Sequence, residues 1–288
     1  MTELISHTLE VPGCVLHYDV REAEGTTEPI LLLIGSPMDA SGFTALARHF
    51  ADRTVVTYDP RGSARSTRTD DAAESTPDLH ADDLHRLIDA VGGGPVDLFA
   101  SSGGAVNALA LVARHPEQVR TLVAHEPPAA QVLPDREQAL AAIADIRRTY
   151  DREGLGPAMV KFFAFANHQG EVPADFADRP MQNPADFGLP AEDDGVRGDV
   201  MFEQNLMTCT HYEPDFEALR AAPTRIVLGV GAESEGQMAR RAGEAIAERL
   251  GIKPVIFPSN HGGFLDDALG TPGDPDNFAV TLRETLAG

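Results

Sequence analysis

Short, largely apolar runs recur along this chain with room for a helix between them, and that rhythm restricts the fold more than any other feature. The runs are PILLLIG at 29–35, TVVTYD at 54–59, VDLFA at 96–100, TLVA at 121–124, RIVLGV at 225–230 and PVIF at 254–257. A strand covered on both faces reads as continuous apolar sequence, whereas a half-exposed strand alternates. Stretches of helical composition at 43–50, 81–91, 105–115 and 237–250 separate the runs, and each can cross from one parallel strand to the next. The expected fold class is α/β: a mostly parallel central sheet flanked by helices, with 15–20 pairing against 4–9 as an antiparallel edge.

The rhythm breaks between 127 and 223, where no strand-like run occurs. Helices are expected at 136–152, 156–167 and 196–212, around a Pro-, Asp- and Gly-rich stretch at 169–195. A helical insertion between two sheet strands is most simply a cap over one end of the sheet. The expected organisation is a core formed by 1–127 and 223–288, with a helical cap at 128–222.

One junction carries chemistry. The run VDLFA leads into Ser101-Ser102-Gly103-Gly104-Ala105, and helical composition resumes before Pro116. A serine hydroxyl becomes a useful nucleophile only when a base can reach it, and a sharp strand-to-helix turn presents it openly. The residues two before and two after such a serine crowd neighbouring backbone and must be small. Around Ser102 they are Ala100 and Gly104, whereas around Ser101 they would be Phe99 and Gly103, so Ser102 is the candidate nucleophile. The base should follow the last strand, and after PVIFP the chain supplies Ser259-Asn260-His261-Gly262-Gly263-Phe264. Of the ten histidines, His261 alone occupies that place.

With A-S-S-G-G in place of G-x-S-x-G, and with Asp59-Pro60-Arg61-Gly62-Ser63-Ala64-Arg65-Ser66 similar to a D-x-R-G-x-G-x-S segment, the chain resembles the α/β-hydrolase superfamily over nearly its whole length. The resemblance implies an esterase-like serine hydrolase. It also implies an oxyanion hole of two backbone N–H groups, one following the nucleophile and one from the loop after the third strand. Gly103 can supply the first. The second falls in GSPMDASG at 35–42, where Pro37 has no N–H to give; Met38 is the choice, with Ser36 behind it.

The acid that orients the imidazole has two candidates. The family pattern G-x-x-D after RIVLGV is replaced by Gly231-Ala232-Glu233-Ser234, which puts Glu233 one place early. Some lipases of this fold place the acid after the strand that follows the nucleophile strand, and there the chain has His125-Glu126-Pro127-Pro128. Both Glu126 and Glu233 stay open, with the balance towards Glu126.

In the expected cap, Phe162, Phe163, Met201 and Met207 belong to Met- and Phe-rich helical stretches that must line whatever site the cap faces. They suit an apolar acyl or polycyclic small molecule. An aspartate nucleophile would mark epoxide hydrolases or haloalkane dehalogenases; Ser102 argues against both, and the absence of tryptophan argues against halide binding. No metal-ligand cluster or phosphate loop occurs, so no cofactor is expected. A formal charge of −22 opposes nucleic acid and anionic membranes as partners. With only Cys14 and Cys209, no signal-peptide pattern and no membrane-length apolar run, a cytoplasmic protein with reduced thiols is expected. The altered oxyanion loop and displaced acid keep two other uses of the pocket in view, non-hydrolytic chemistry on a natural-product-like substrate or ligand binding without turnover.

Overall fold

In the computed structural model, which describes residues 4–72, 74–268 and 271–288, the apolar runs form the interior strands of one sheet. Its strands are β1 (Leu4–Val11), β2 (Cys14–Arg21), β3 (Leu31–Ile34), β4 (Val55–Asp59), β5 (Thr67–Arg68), β6 (Val96–Ser101), β7 (Val119–His125), β8 (Arg225–Gly231) and β9 (Val255–Phe257). The order is β1-β2-β4-β3-β6-β7-β8-β9, with the short β5 pairing β2. β1 and β2 form the antiparallel edge, β2 meets β4 antiparallel, and the remaining pairs along the path are parallel. Adjacent side chains of a strand point to opposite faces. Leu31, Leu33, Phe99 and Val123 therefore pack into one apolar layer, and Leu32, Ile34, Leu98 and Leu122 into the other.

The helices that complete these layers are α1 (Thr44–Ala47), α2 (Pro77–Ala90), α3 (Gly103–Arg114), α4 (Arg136–Glu153), α5 (Leu155–Ala166), α6 (Leu206–Thr210), α7 (Phe216–Ala221), α8 (Met238–Leu250) and α9 (Pro275–Ala287). α2, α3 and α8 cover one face through Leu84, Leu109 and Ile246. α1 and α9 cover the other through Leu46, Phe278, Leu282 and Leu286. The sequence reading did not include α9, although its signals are present. Asp274 accepts from Asn277 N–H as an N-cap, Pro275 opens the helix, and Phe278, Leu282 and Leu286 recur every four residues.

Two expected helices take other forms. The stretch 43–50 is only four residues of α-helix, bounded by 3₁₀ turns at Ala40–Phe43 and Arg48–Phe50, as short helices often are. The expected helix at 196–212 begins only at Val200, because Gly198 sits at φ +110°. It then runs through a π turn, Met201–Asn205, into α6.

Between β7 and β8 no residue joins the main sheet. α4, α5, the π turn and α6 gather around their own cluster, which includes Ile143, Ile146, Phe165, Phe202 and Leu206 and takes in Met238 and Ala242 from α8. Among the described residues no helix is long and apolar enough to cross a membrane.

Strand order decides where a pocket can open. β3 lies between β4 and β6, so the chain leaves β3 first to one side and later returns to the other. Ligands of open α/β sheets bind beyond the C-terminal ends of strands at such a reversal. Ser36, Ser102 and Glu126 are found just past the ends of β3, β6 and β7.

Candidate active site

Ser102 joins β6 to α3 with φ +57° and ψ −129°, a conformation that non-glycine residues adopt only under constraint. The constraint comes from both sides. β6 is buried along its whole length, and Ser102 N–H donates to His125 O at 3.0 Å. Ser101 turns inward at 1% exposure, with its hydroxyl 3.5 Å from His125 Nδ1. Ser102 remains partly exposed at the apex.

The requirement for small neighbours is visible in the packing. A methyl on Gly104 would lie 2.8 Å from Gly35 Cα and 3.0 Å from Ile34 O. A methyl on Gly103 would lie 2.5 Å from Ser36 O and 3.3 Å from Cys209 Sγ. The segment after β3 and helix α6 of the insertion therefore both press against the turn.

Glu126 follows β7 directly, with φ +45°, and is fully buried. Its N–H donates to Gly229 O at 3.0 Å, and its Oε1 accepts from Gly231 N–H at 2.8 Å. Its Oε2 lies 2.6 Å from His261 Nδ1. Burial pulls the carboxyl upward, but the hydrogen bond and charge of His261, with the Gly231 N–H, outweigh it and hold the group at about 2. Glu126 is thus a carboxylate across the ordinary pH range.

His261 sits in a tight turn past β9, with its side chain 40% exposed. Asn260 holds the turn, accepting from Gly262 N–H at its side chain and from Gly263 N–H at its carbonyl, both at 2.9 Å. Because Nδ1 donates to a carboxylate, Nε2 is the ring nitrogen free to accept a proton. Ser102 and His261 are not hydrogen-bonded to one another in this structure.

The structure separates the two carboxylate candidates. Glu233 is exposed; its N–H donates to Ser259 O at 2.9 Å, and its carboxylate makes no hydrogen bond or ion pair among the described residues. It supports the turn that carries His261 without touching the ring. The neighbouring Ser234 is buried, with its hydroxyl unpartnered among the described residues.

In the segment after β3, Ser36 packs its carbonyl against Gly103, while Met38 curls back so that its side chain fills the space beside Gly35 and Gly42. Among the described residues, the N–H groups of Ser36, Met38 and Gly103 donate to no protein acceptor. Phe162, Met201 and Met207 lie half-buried against the insertion's cluster, and Phe162 meets Phe202 edge-on at 6.4 Å. Phe163 is likewise half-buried, 6.2 Å from Phe162 and 6.3 Å from Phe187.

Sequence reasoning missed polar residues that meet behind Ser36. Asn205, from the π turn, accepts from the Ser36 hydroxyl, and His80, from α2, meets the same Asn205 oxygen. A lone asparagine in a helical stretch and a lone histidine on a helix face carry no sequence signal that would have joined them.

Comparison with known proteins places the chain among others of its architecture. A family model described as alpha/beta hydrolase fold matches residues 28–208. The uncharacterized hydrolase YraK of Bacillus subtilis (strain 168) is 33% identical over 264 residues, covering 89% of each chain. A thermophilic esterase from Thermogutta terrifontis superposes with a TM-score of 0.66 at 19% identity, over 99% of this chain and 98% of that one. The enol-lactonase from Burkholderia xenovorans LB400 superposes with a TM-score of 0.64 at 17% identity, over 98% and 100%.

Proposed function

Because this chain belongs to the alpha/beta hydrolase fold family, we propose that it is a serine hydrolase that cleaves an ester-like bond of an apolar small molecule through an acyl-enzyme. The observation that carries this reading is the 2.6 Å contact between His261 Nδ1 and a fully buried Glu126, made beside the constrained apex at Ser102.

In the proposed cycle, Ser102 Oγ attacks the carbonyl carbon while His261 Nε2 takes its proton. The C=O pair moves onto oxygen, and the resulting oxyanion is met by Gly103 N–H and a second N–H from the segment after β3. Met38 is the proposed second donor and Ser36 its alternative, since Pro37 has none. Collapse expels the alcohol, which leaves with the proton from His261. Water then attacks the acyl-enzyme, giving its proton to His261, and Ser102 is released with that proton returned. Glu126 keeps Nδ1 protonated and stabilises the imidazolium in both halves. The serine–histidine contact is one that commonly tightens when substrate binds.

Residues 128–222 are proposed as the cap, with Phe162, Phe163, Met201 and Met207 shaping the apolar part of the pocket. The esterase and the lactonase among the structural neighbours fit an ester, thioester or lactone as the reacting group. Non-hydrolytic chemistry in the same pocket is the alternative reading, motivated by the departures of the acid and the oxyanion loop from the family pattern; the contact of Glu126 with His261 supports hydrolysis over it.

A fluorophosphonate probe and activated esters of varied acyl length test the proposal. Stoichiometric labelling at Ser102, with loss of turnover in Ser102→Ala, is expected. Undiminished turnover in Ser102→Ala, or no labelling of folded protein, overturns the reading.

A further inference from the structure

Ser36, whose carbonyl packs against Gly103, is held from its other side by a chain of buried polar groups. Its hydroxyl donates to Asn205 Oδ1 at 3.0 Å. The ring of His80 meets the same oxygen through Nε2 at 3.2 Å, and Asn205 Nδ2 donates to Val200 O at 3.0 Å. The last contact sets the amide's orientation, because its nitrogen is occupied by a carbonyl and its oxygen must be the shared acceptor. His80 therefore donates from Nε2. Burial and the nearby Arg61 charge lower its pKa to about 4 against the pull of Asn205, so the ring is neutral. Its Nδ1 is buried without a partner among the described residues.

The three residues come from separate parts of the fold: the segment after β3, helix α2 and the π turn of the insertion. A π turn is a local widening that helices seldom adopt without cause and often adopt near functional sites. Here Asn205 supplies the cause, closing the turn on Val200 O with its nitrogen while aiming its oxygen at Ser36. The adjoining residues fasten the same turn to the core. Gln204 Oε1 accepts from Arg68 at 2.8 Å and from the Ser75 hydroxyl at 3.1 Å, and Thr208 Oγ1 donates to Ser75 O at 2.8 Å.

We infer that Asn205 is a positioning residue for the proposed hydrolysis, holding Ser36 and with it the 36–38 segment in register with the turn at Ser102–Gly103. The inference rests on the serine-hydrolase reading. An oxyanion hole works only if two N–H groups converge on one oxygen, and small displacements of such donors cost large factors in rate. Ser36 sits between both requirements: its backbone touches the nucleophile turn, and its hydroxyl is tied to the insertion. Asn205 and His80 touch no reacting atom; they act by denying Ser36 an alternative position.

The test compares Ser36→Ala, Asn205→Ala and the double variant on an activated ester, with His80→Gln and His80→Leu alongside. Each of the first two is expected to lower kcat by about 10- to 100-fold with KM within about twofold. The double variant should be no worse than the worse single, because both remove one linkage. His80→Gln keeps an N–H donor and should lose less than His80→Leu. Ser36→Ala removes a single oxygen, so it decides the matter alone if Asn205→Ala does not fold. A kcat within about threefold of the parent in Ser36→Ala, or losses that multiply in the double variant, overturns the inference while wild-type turnover and Ser102 labelling leave the parent reading standing. A wild-type protein that neither turns over esters nor labels at Ser102 removes that reading and this inference with it.

Discussion

His261 Nδ1 and Glu126 Oε2 stand 2.6 Å apart although 135 positions separate them in the chain. The contact exists because β7 and β8 are parallel neighbours with His125 in register with Gly229. That register places Glu126 beside Gly231, whose N–H takes up Oε1 and leaves Oε2 for the imidazole. A carboxylate so buried has few ways to be satisfied, and here both oxygens are engaged.

If this pair orients the base, removing the charge at Glu126 should be costly and removing it at Glu233 should not. Glu126→Gln is expected to lower kcat by roughly 10³- to 10⁴-fold, as loss of the orienting acid does in other serine hydrolases. Glu233→Gln should stay within about twofold. Steady-state kinetics of the two variants decide between them, and the reverse pattern would move the acid to Glu233.

The same pair gives stability a defined acid dependence. Glu126 titrates at about 2 in the folded chain against an ordinary 4.5, so its contribution is fully present above about pH 4.5 and is lost as pH falls towards 2. The difference corresponds to on the order of 3 kcal/mol. The gap between the denaturant midpoints of the parent and Glu126→Gln should narrow by roughly half or more from pH 6 to near pH 3. An unchanged gap would show that the pair contributes nothing through this ionisation.

Gly104→Ala sets helix propensity against packing. Within a helix, alanine is favoured over glycine by about 1 kcal/mol. At this site the added methyl meets Gly35 Cα at 2.8 Å and Ile34 O at 3.0 Å, and neither backbone atom can swing aside. Overpacking of this kind costs about 1–3 kcal/mol, so net destabilisation is expected, together with a fall in kcat as the turn at Ser102 shifts. A variant of raised stability and full activity would refute the close approach.

Ala64 offers a stabilising change. It stands where the family segment carries its second glycine, is exposed, and sits at φ +44°. Relief of left-handed strain amounts to about 1–2 kcal/mol, against about 0.4–1 kcal/mol for the added freedom of an unfolded glycine. Ala64→Gly should therefore raise the unfolding free energy by roughly 0.5–1 kcal/mol in equilibrium denaturation. A lower denaturation midpoint would contradict the strain argument.

Much of this molecule can be read from its sequence where the governing physics is local. The largely apolar runs mark the parallel strands because burial on both faces favours apolar side chains and admits a polar one only with partners, as Asp97 has in Arg53 and Arg120. The choice of Ser102 over Ser101 follows from the size of Phe99 beside Ala100, a matter of sterics within a few residues. His261 follows from chain order, since the last strand of the sheet must end beside the strands before it. The polar chain behind Ser36 was not legible, whereas the helix formed by Phe278, Leu282 and Leu286 has both its cap and its spacing written in the chain.

Tertiary structure alone brought Glu126 rather than Glu233 to His261, and joined Ser36 to Asn205 and Asn205 to His80. A carboxylate's partner depends on which strand ends lie side by side and on the register between them, and neither quantity is encoded in a short window. Periodicity and side-chain volume are local properties that the sequence states directly. The meeting of buried polar groups is imposed by the whole sheet, because each must find a partner wherever folding places it.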